Sequence, residues 1–189
     1  MDKLLIVSSS DQGRKFLTEL CAAQSLGRPS VAENGAQARR MLIDDCYDLI
    51  VINAPLRDEF GQELALGLTQ STDAGIILLV KGEMADAVSA KVEDYGVLVL
   101  AKPLSKQLFF QSVKMVAASR RRLLGLQTEN IKLQHKIEEI RMVDRAKCAL
   151  IQYLGFTEPQ AHRYIEKQAM DLRQTRREVA ESILKTYES

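Results

Sequence analysis

The sequence predicts an α/β protein: a five-stranded parallel sheet, then a long coiled-coil helix, then a C-terminal module of three helices. Three observations predict it. Short apolar runs recur at Leu4–Val7, Val31 with Ala32, Leu49–Ile52, Ile76–Val80 and Val97–Leu100, separated by helix-length amphipathic stretches. From Ser105 to about Tyr153 there is no proline, and the only glycine is Gly125. From Arg145 to Leu184, apolar side chains fall at helical spacing between two helix-cap signals.

The apolar runs are too short for helices, and their continuity suits strands covered on both faces, as in a parallel sheet with helices above and below. Such sheets carry their working residues at the C-terminal strand ends. Those positions hold Ser8 and Ser9 after the first run, Asn53 after the third, Lys81 after the fourth and Lys102 after the fifth.

The long helix carries a heptad seam of Phe109, Val116, Leu123, Leu126, Leu133, Ile137 and Ile140, with Ser112, Ser119 and Asn130 at the remaining seam positions. A repeat of about 3.5 residues specifies a left-handed coiled coil. Asn130 at an a position favours a fixed register and a parallel dimer. The competing reading packs the Phe109–Val116 stretch on the chain's own sheet, whereas Leu123, Leu126, Leu133, Ile137 and Ile140 lie beyond it. Arg120, Arg121 and Arg122 add a basic cluster to the same helix.

In the last segment, Gly155 suits the left-handed position just past a helix end, and Thr157 with Gln160 and Thr175 with Glu178 have capping-box spacing. Ala146, Leu150 and Leu154, then Ala161, Ile165, Ala169 and Leu172, then Val179, Ile183 and Tyr187 give three amphipathic helices one shared core.

The chain of 189 residues is 46% hydrophobic, enough for one ordinary domain and a smaller unit. It lacks an apolar run of the ~20 residues that cross a bilayer, and its N-terminus lacks a signal-peptide pattern, so a cytoplasmic location away from membranes is expected. Cys21, Cys46 and Cys148 are odd in number and scattered, which argues against disulfides and zinc and for buried thiols. The net charge of +1 is uneven: residues 1–101 hold 9 Lys/Arg against 15 Asp/Glu, and residues 102–189 hold 17 against 10. The basic half should attract a polyanion. No nucleophile–base pair, metal cluster or phosphate-binding glycine loop is visible, so neither catalysis nor a cofactor is expected.

The tail resembles the ANTAR domain, the RNA-binding output domain of bacterial transcription antiterminators. The matching residues are Ala146-Lys147, Gly155, Thr157-Glu158, Ala161, Ala169-Met170, Arg173 and Val179-Ala180. The resemblance implies binding of stem-loops in nascent leader RNA by a dimer, so that a terminator hairpin does not form. Single-stranded loops are read by stacking and base-edge bonds, and phosphates supply much of the affinity. The candidate contacts are Arg145, Ala146, Lys147, His162, Arg163, Lys167, Arg173, Thr175, Arg176 and Arg177. Ala146 would let RNA approach closely, the helix start at Thr175 would offer backbone N–H groups, and His162 and Tyr153 would stack bases. Packing and internal ion pairs, Arg163 with Glu166 or Lys167 with Asp171, are the competing readings.

The first half resembles the receiver domain of response regulators, a flavodoxin-like fold, with Asn53 where the family has its phosphoacceptor Asp and Gly61 eight residues on. An amide is a poor nucleophile and cannot form the acyl phosphate. The family's Mg²⁺-holding acidic pair falls on Ser8 and Ser9, too weakly charged for a hard cation. Its switching Thr or Ser aligns with Lys81 and its switching aromatic with Val99, while Lys102-Pro103 is retained, with a cis bond implied. Asp11 and Asp58 lie too far past their strands to replace the acceptor. The resemblance therefore implies a pseudo-receiver without phosphotransfer. The expected divisions are a pseudo-receiver at 1–104, a dimerising helix at 105–140 and an ANTAR module at 141–189. The regulating input is left open among a regulatory protein, a small ligand at the strand ends and protein abundance. A DNA-binding response regulator and a sensor-binding scaffold are the alternative functions.

Overall fold

The computed structural model describes residues 3–23 and 26–187, and the chain divides into two compact units between Leu124 and Gly125. In the first unit, β1 (Leu4–Ser8), β2 (Ser30–Ala32), β3 (Leu49–Asn53), β4 (Gly75–Lys81) and β5 (Val97–Lys102) form one parallel sheet in the order β2-β1-β3-β4-β5. The helices between them are α1 (Asp11–Ala22), α2 (Gly35–Asp44), α3 (Gln62–Ser71) and α4 (Ala85–Val92). Each apolar run of the sequence is a strand.

Strand side chains alternate between faces, and two cores result. Leu5, Val7, Ile50, Ile52, Ile76 and Leu78 pack with Ala38 of α2, Leu64 and Leu68 of α3, and Val88 and Val92 of α4. On the other face Leu4, Ile6, Leu49, Val51, Ile77 and Leu79 meet Leu17, Leu20 and Cys21 of α1. That second core is completed by Phe109 and Val113, which belong to α5 (Lys106–Leu154).

The start of α5 is thus a sheet-covering helix, and the seam reading fails there. Phe109 is fully buried, Ser112 is buried too, and a side chain at Gly75 would collide with Val116. Arg120 is also drawn in: its guanidinium pairs with the Asp48 carboxylate and donates to the Asp73 carbonyl at 2.8 Å. One member of the Arg120–Arg122 cluster is therefore structural.

Beyond that point the seam side chains lack intramolecular cover. Leu123, Leu126, Leu133, Ile137 and Ile140 are all at least half exposed, and Asn130 is exposed among them.

The second unit contains the end of α5, α6 (Glu158–Leu172) and α7 (Arg176–Tyr187). Ala146, Ala149 and Leu150, then Ala161, Ile165 and Ala169, then Val179, Ala180, Ile183 and Leu184 form its core. Leu154 and Leu172, placed in that core by their spacing, are exposed at helix ends instead. Alanines at the contacts let the helix backbones approach closely.

The breaks follow local chemistry. Gly155 has φ 67°, the left-handed conformation that costs glycine little. A capping box opens α6, where Thr157 N donates to Gln160 Oε1 at 2.8 Å, and another opens α7: Thr175 N to Glu178 Oε2 at 2.7 Å, and Glu178 N to Thr175 Oγ1 at 3.2 Å. Cys21 is buried as expected, and burial pushes its thiol up to about 11, but Cys46 and Cys148 are exposed. Cys46 sits in the connection between α2 and β3, and Cys148 lies on the outer side of α5 between the buried Ala146 and Ala149. No helix among the described residues is long and apolar enough to cross a membrane.

Candidate functional site

At the strand ends of the first unit, register places Ser8 beside Asn53 and Lys81 beside Lys102. Asn53 Nδ2 donates to Ser8 Oγ at 2.9 Å, and Ser8 Oγ reaches the Ser10 carbonyl at 3.3 Å. Ser8 is fully buried. A neutral hydrogen-bonded pair thus occupies the positions where a receiver concentrates charge. Ser9 is equally committed, its hydroxyl donating to the Glu33 carbonyl at 2.9 Å and accepting from Arg57 N at 2.8 Å.

Both displaced aspartates have structural work. Asp58 accepts from Gly35 N at 3.0 Å and Ala36 N at 2.9 Å, which caps the start of α2 beside Asn34. Burial acts to raise its pKa, but the bonds from Ala36 and Gly35 outweigh it and hold the carboxyl below its ordinary value. Asp11 pairs with Arg14, whose guanidinium also donates to the Ser8 carbonyl at 2.8 Å and lies 3.6 Å from Glu33. Arg14 was not singled out by the sequence, although its i,i+3 spacing from Asp11 is a pairing signal.

Lys102 Nζ donates to the Ala54 carbonyl at 2.5 Å. Burial, with Lys81 nearby, pushes its amine below the ordinary lysine value. The Lys102–Pro103 bond is cis, as is Ala54–Pro55. Lys81 is exposed, and Val99 is half-buried on β5.

In the second unit the expected cations separate into two groups. Lys147 reaches Asp144 at 2.8 Å and Glu158 at 3.0 Å with only 17% of its side chain exposed. Hydrogen bonds to Asp144 and Glu158 raise its pKa, and the contact with Glu158 ties α5 to the first turn of α6. Arg177 pairs with Glu181 at 3.0 Å and Glu138 at 3.9 Å, and Arg176 lies 3.8 Å from Glu139 and 4.0 Å from Glu166. His162 faces Glu166 at 3.3 Å. Glu166 therefore serves His162 and Arg176, not Arg163.

Arg163, Lys167 and Arg173 are exposed and have no carboxylate partner among the described residues. Helical geometry sets Arg163, Lys167 and Met170 on the side of α6 opposite the buried Ala161, Ile165 and Ala169. Met170 is 72% exposed. Arg145 is exposed on α5.

Two candidates change role. Ala146 is fully buried between helices, so its small size serves helix packing and its side chain is out of reach of RNA. Thr175 has its amide and hydroxyl committed to Glu178. Tyr153 stacks on Tyr187 at 5.4 Å between centroids while remaining 53% exposed, and Tyr164 meets Phe156 edge-on at 5.7 Å.

The ANTAR domain model matches residues 132–184, which include the end of α5, all of α6 and nearly all of α7. The chain carries an ANTAR domain at residues 132–184, preceded by a domain with the receiver fold. It is similar to the transcriptional regulatory protein PdtaR of Mycobacterium tuberculosis, with 26% identity over 184 residues, covering 97% of this chain and 90% of that protein. The receiver fold is shared with the signal receiver domain of an HD domain-containing protein from Pseudomonas fluorescens (TM-score 0.57, 22% identity, 66% of this chain and 92% of that one). A receiver domain protein from Clostridium thermocellum gives TM-score 0.59 at 16% identity, over 66% of this chain and 99% of that one.

Within the ANTAR domain Arg173 closes α6 at φ 54°, the only non-glycine with positive φ among the described residues. Its own N–H bonds the Met170 carbonyl at 3.3 Å, and Gln174 N bonds the Ala169 carbonyl at 3.0 Å, the closure that glycine usually makes. A left-handed L-residue costs about 1–2 kcal/mol, against about 0.4–1 kcal/mol for the extra freedom of unfolded glycine. Arg173→Gly should therefore raise stability, by about 0.5 kcal/mol in denaturant unfolding. A loss of stability would show that the arginine side chain holds the fold.

Proposed function

We propose that this ANTAR protein binds stem-loops in nascent leader RNA as a homodimer and prevents terminator formation, with no control through phosphorylation of its receiver-like domain. The observation that carries the RNA reading is the outward side of α6. Its exposed Arg163 and Lys167 stand one turn apart beside Met170, with Arg173 at the helix end, whereas Lys147, Arg176 and Arg177 of the same module are paired internally. Unpaired guanidinium and ammonium groups on a rigid helix suit phosphate, and an exposed thioether or guanidinium plane suits an unstacked base. The resemblance to ANTAR regulators supplies the RNA class and the competition between leader structures; transcriptional regulation is also the role that the mycobacterial relative's name states.

Dimerisation follows from the uncovered seam of Leu123, Leu126, Leu133, Ile137 and Ile140, which a second copy in parallel register covers with Asn130 facing Asn130. Independence from phosphorylation follows from the neutral Asn53–Ser8 pair and the commitment of Asp11 and Asp58 elsewhere. In this reading the divisions are the pseudo-receiver at 1–104, the dimerising helix at 105–140 and the RNA module at 141–189, and the protein acts in the cytoplasm with no enzymatic step.

Titration of a leader hairpin with the Arg163→Ala, Lys167→Ala double variant tests the surface. Affinity should fall about tenfold or more, and the slope of log K against log salt should shrink by about 1.5, as expected for two lost phosphate contacts. Thermal melting should be unchanged, since neither side chain has an ion-pair partner among the described residues. Equal affinity would remove this face from the site, and tighter binding to duplex DNA than to hairpins would favour a DNA-binding regulator. Incubation with acetyl phosphate and Mg²⁺ should leave the protein's mass unchanged; a phosphoryl adduct on the intact chain would contradict the pseudo-receiver reading.

A further inference from the structure

The strand ends of the receiver-like unit border an open cavity of about 370 Å³, within the size range of small-molecule sites. Its position is unlike the α6 surface, and nothing in the RNA reading uses it. One side is apolar: Phe16 and Leu17 of α1, Leu79 of β4, and Leu104 on the connection into α5. The other side presents Asn53 and Lys102. Glycine at position 13 keeps the space between them open, because a Cβ there would fall 2.5 Å from Asn53 Nδ2 and 2.8 Å from Ser8 Oγ.

The polar side is unbalanced. A lysine ammonium has three donors, and Lys102 uses one on the Ala54 carbonyl. Among the described residues no carboxylate pairs with it, and its register neighbour is another cation, Lys81. The nearby carboxylates of Asp11 and Glu33 are held by Arg14. Ser8 and Ser9, as neutral hydroxyls, do not repel an incoming anion. A half-buried cation without a counter-charge is stabilised by an anion.

The apolar walls select among anions. Inorganic phosphate keeps its hydration and gains nothing from Phe16 or Leu104, whereas a monocarboxylate with a short hydrocarbon or aryl body matches both sides.

We infer that this cavity binds a small organic carboxylate non-covalently, with its head group on Lys102 and Asn53 and its hydrocarbon against Phe16, Leu17, Leu79 and Leu104. A ligand seated there touches Leu104, two residues before α5 begins.

Calorimetric titration of the full chain, without RNA, tests this with hexanoate and benzoate against hexanamide, acetate and inorganic phosphate. Saturable binding of hexanoate or benzoate is expected, with hexanamide weaker by about tenfold or more, the effect of one charge-assisted hydrogen bond. Lys102→Gln should lose about the same factor and Lys102→Arg should retain binding. Phe16→Ala, at a 40% exposed position, should weaken hexanoate while leaving acetate unchanged, and it serves as the test if the Lys102 variants do not fold. The inference is overturned if neither acid binds saturably, if hexanoate and hexanamide bind alike, if phosphate binds as tightly as hexanoate, or if Phe16→Ala binds hexanoate as the parent does. None of these outcomes bears on RNA binding by α6.

Discussion

Helix α5 has to satisfy three different surroundings along one continuous apolar pattern, and the rest of the molecule is arranged around that constraint. Its first turns supply Phe109 and Val113 to a sheet core. Its last turns supply Ala146, Ala149 and Leu150 to a helical core. Full burial of a large apolar side chain is worth about 1.5–3 kcal/mol, so both ends are firmly anchored by their own units. The seam between has no such cover, and leaving Leu126, Leu133, Ile137 and Ile140 in water is the cost that pairing with a second chain removes. The proposed RNA binding by a dimer rests on where α5 is left bare as much as on the charges on α6.

The receiver-like unit has the parallel sheet of the fold and neutral side chains at the ends of its first and third strands. Asn53 and Ser8 satisfy each other across adjacent strands, and the acidic residues of the neighbouring loops are used to cap α2 and to hold Arg14. What remains charged is Lys102, braced by a backbone carbonyl and facing an open cavity. The strand ends thus combine a shaped site and a cation with a neutral Asn53–Ser8 pair.

Much of this was legible in the sequence because it rests on local rules. Strand positions follow from uninterrupted apolar runs; the boxes at Thr157 and Thr175 and the left-handed Gly155 follow from capping chemistry. Residues whose role depends on distant partners were harder to read. Arg120 looked like part of a basic patch because Asp48, its partner, lies 72 residues away. Lys147 looked open because Glu158 comes close only when α6 folds back, and Ala146 looked like a surface gap although α6 and α7 cover it. Thr175 differs again: its box was recognised, but the recognition did not extend to the box committing the Thr175 N–H and hydroxyl to Glu178. The strand-end rule pointed to Asn53 and Lys102, but the apolar wall of the cavity was not legible, since Phe16, Leu79 and Leu104 come from three separate elements.

Native mass spectrometry of the full-length protein, alone and with a leader hairpin, tests the central claim most directly. The account predicts two protein copies without RNA and the same two copies carrying RNA when it is present. A monomer that stays monomeric at micromolar concentration, or a dimer that takes up no RNA, would contradict it.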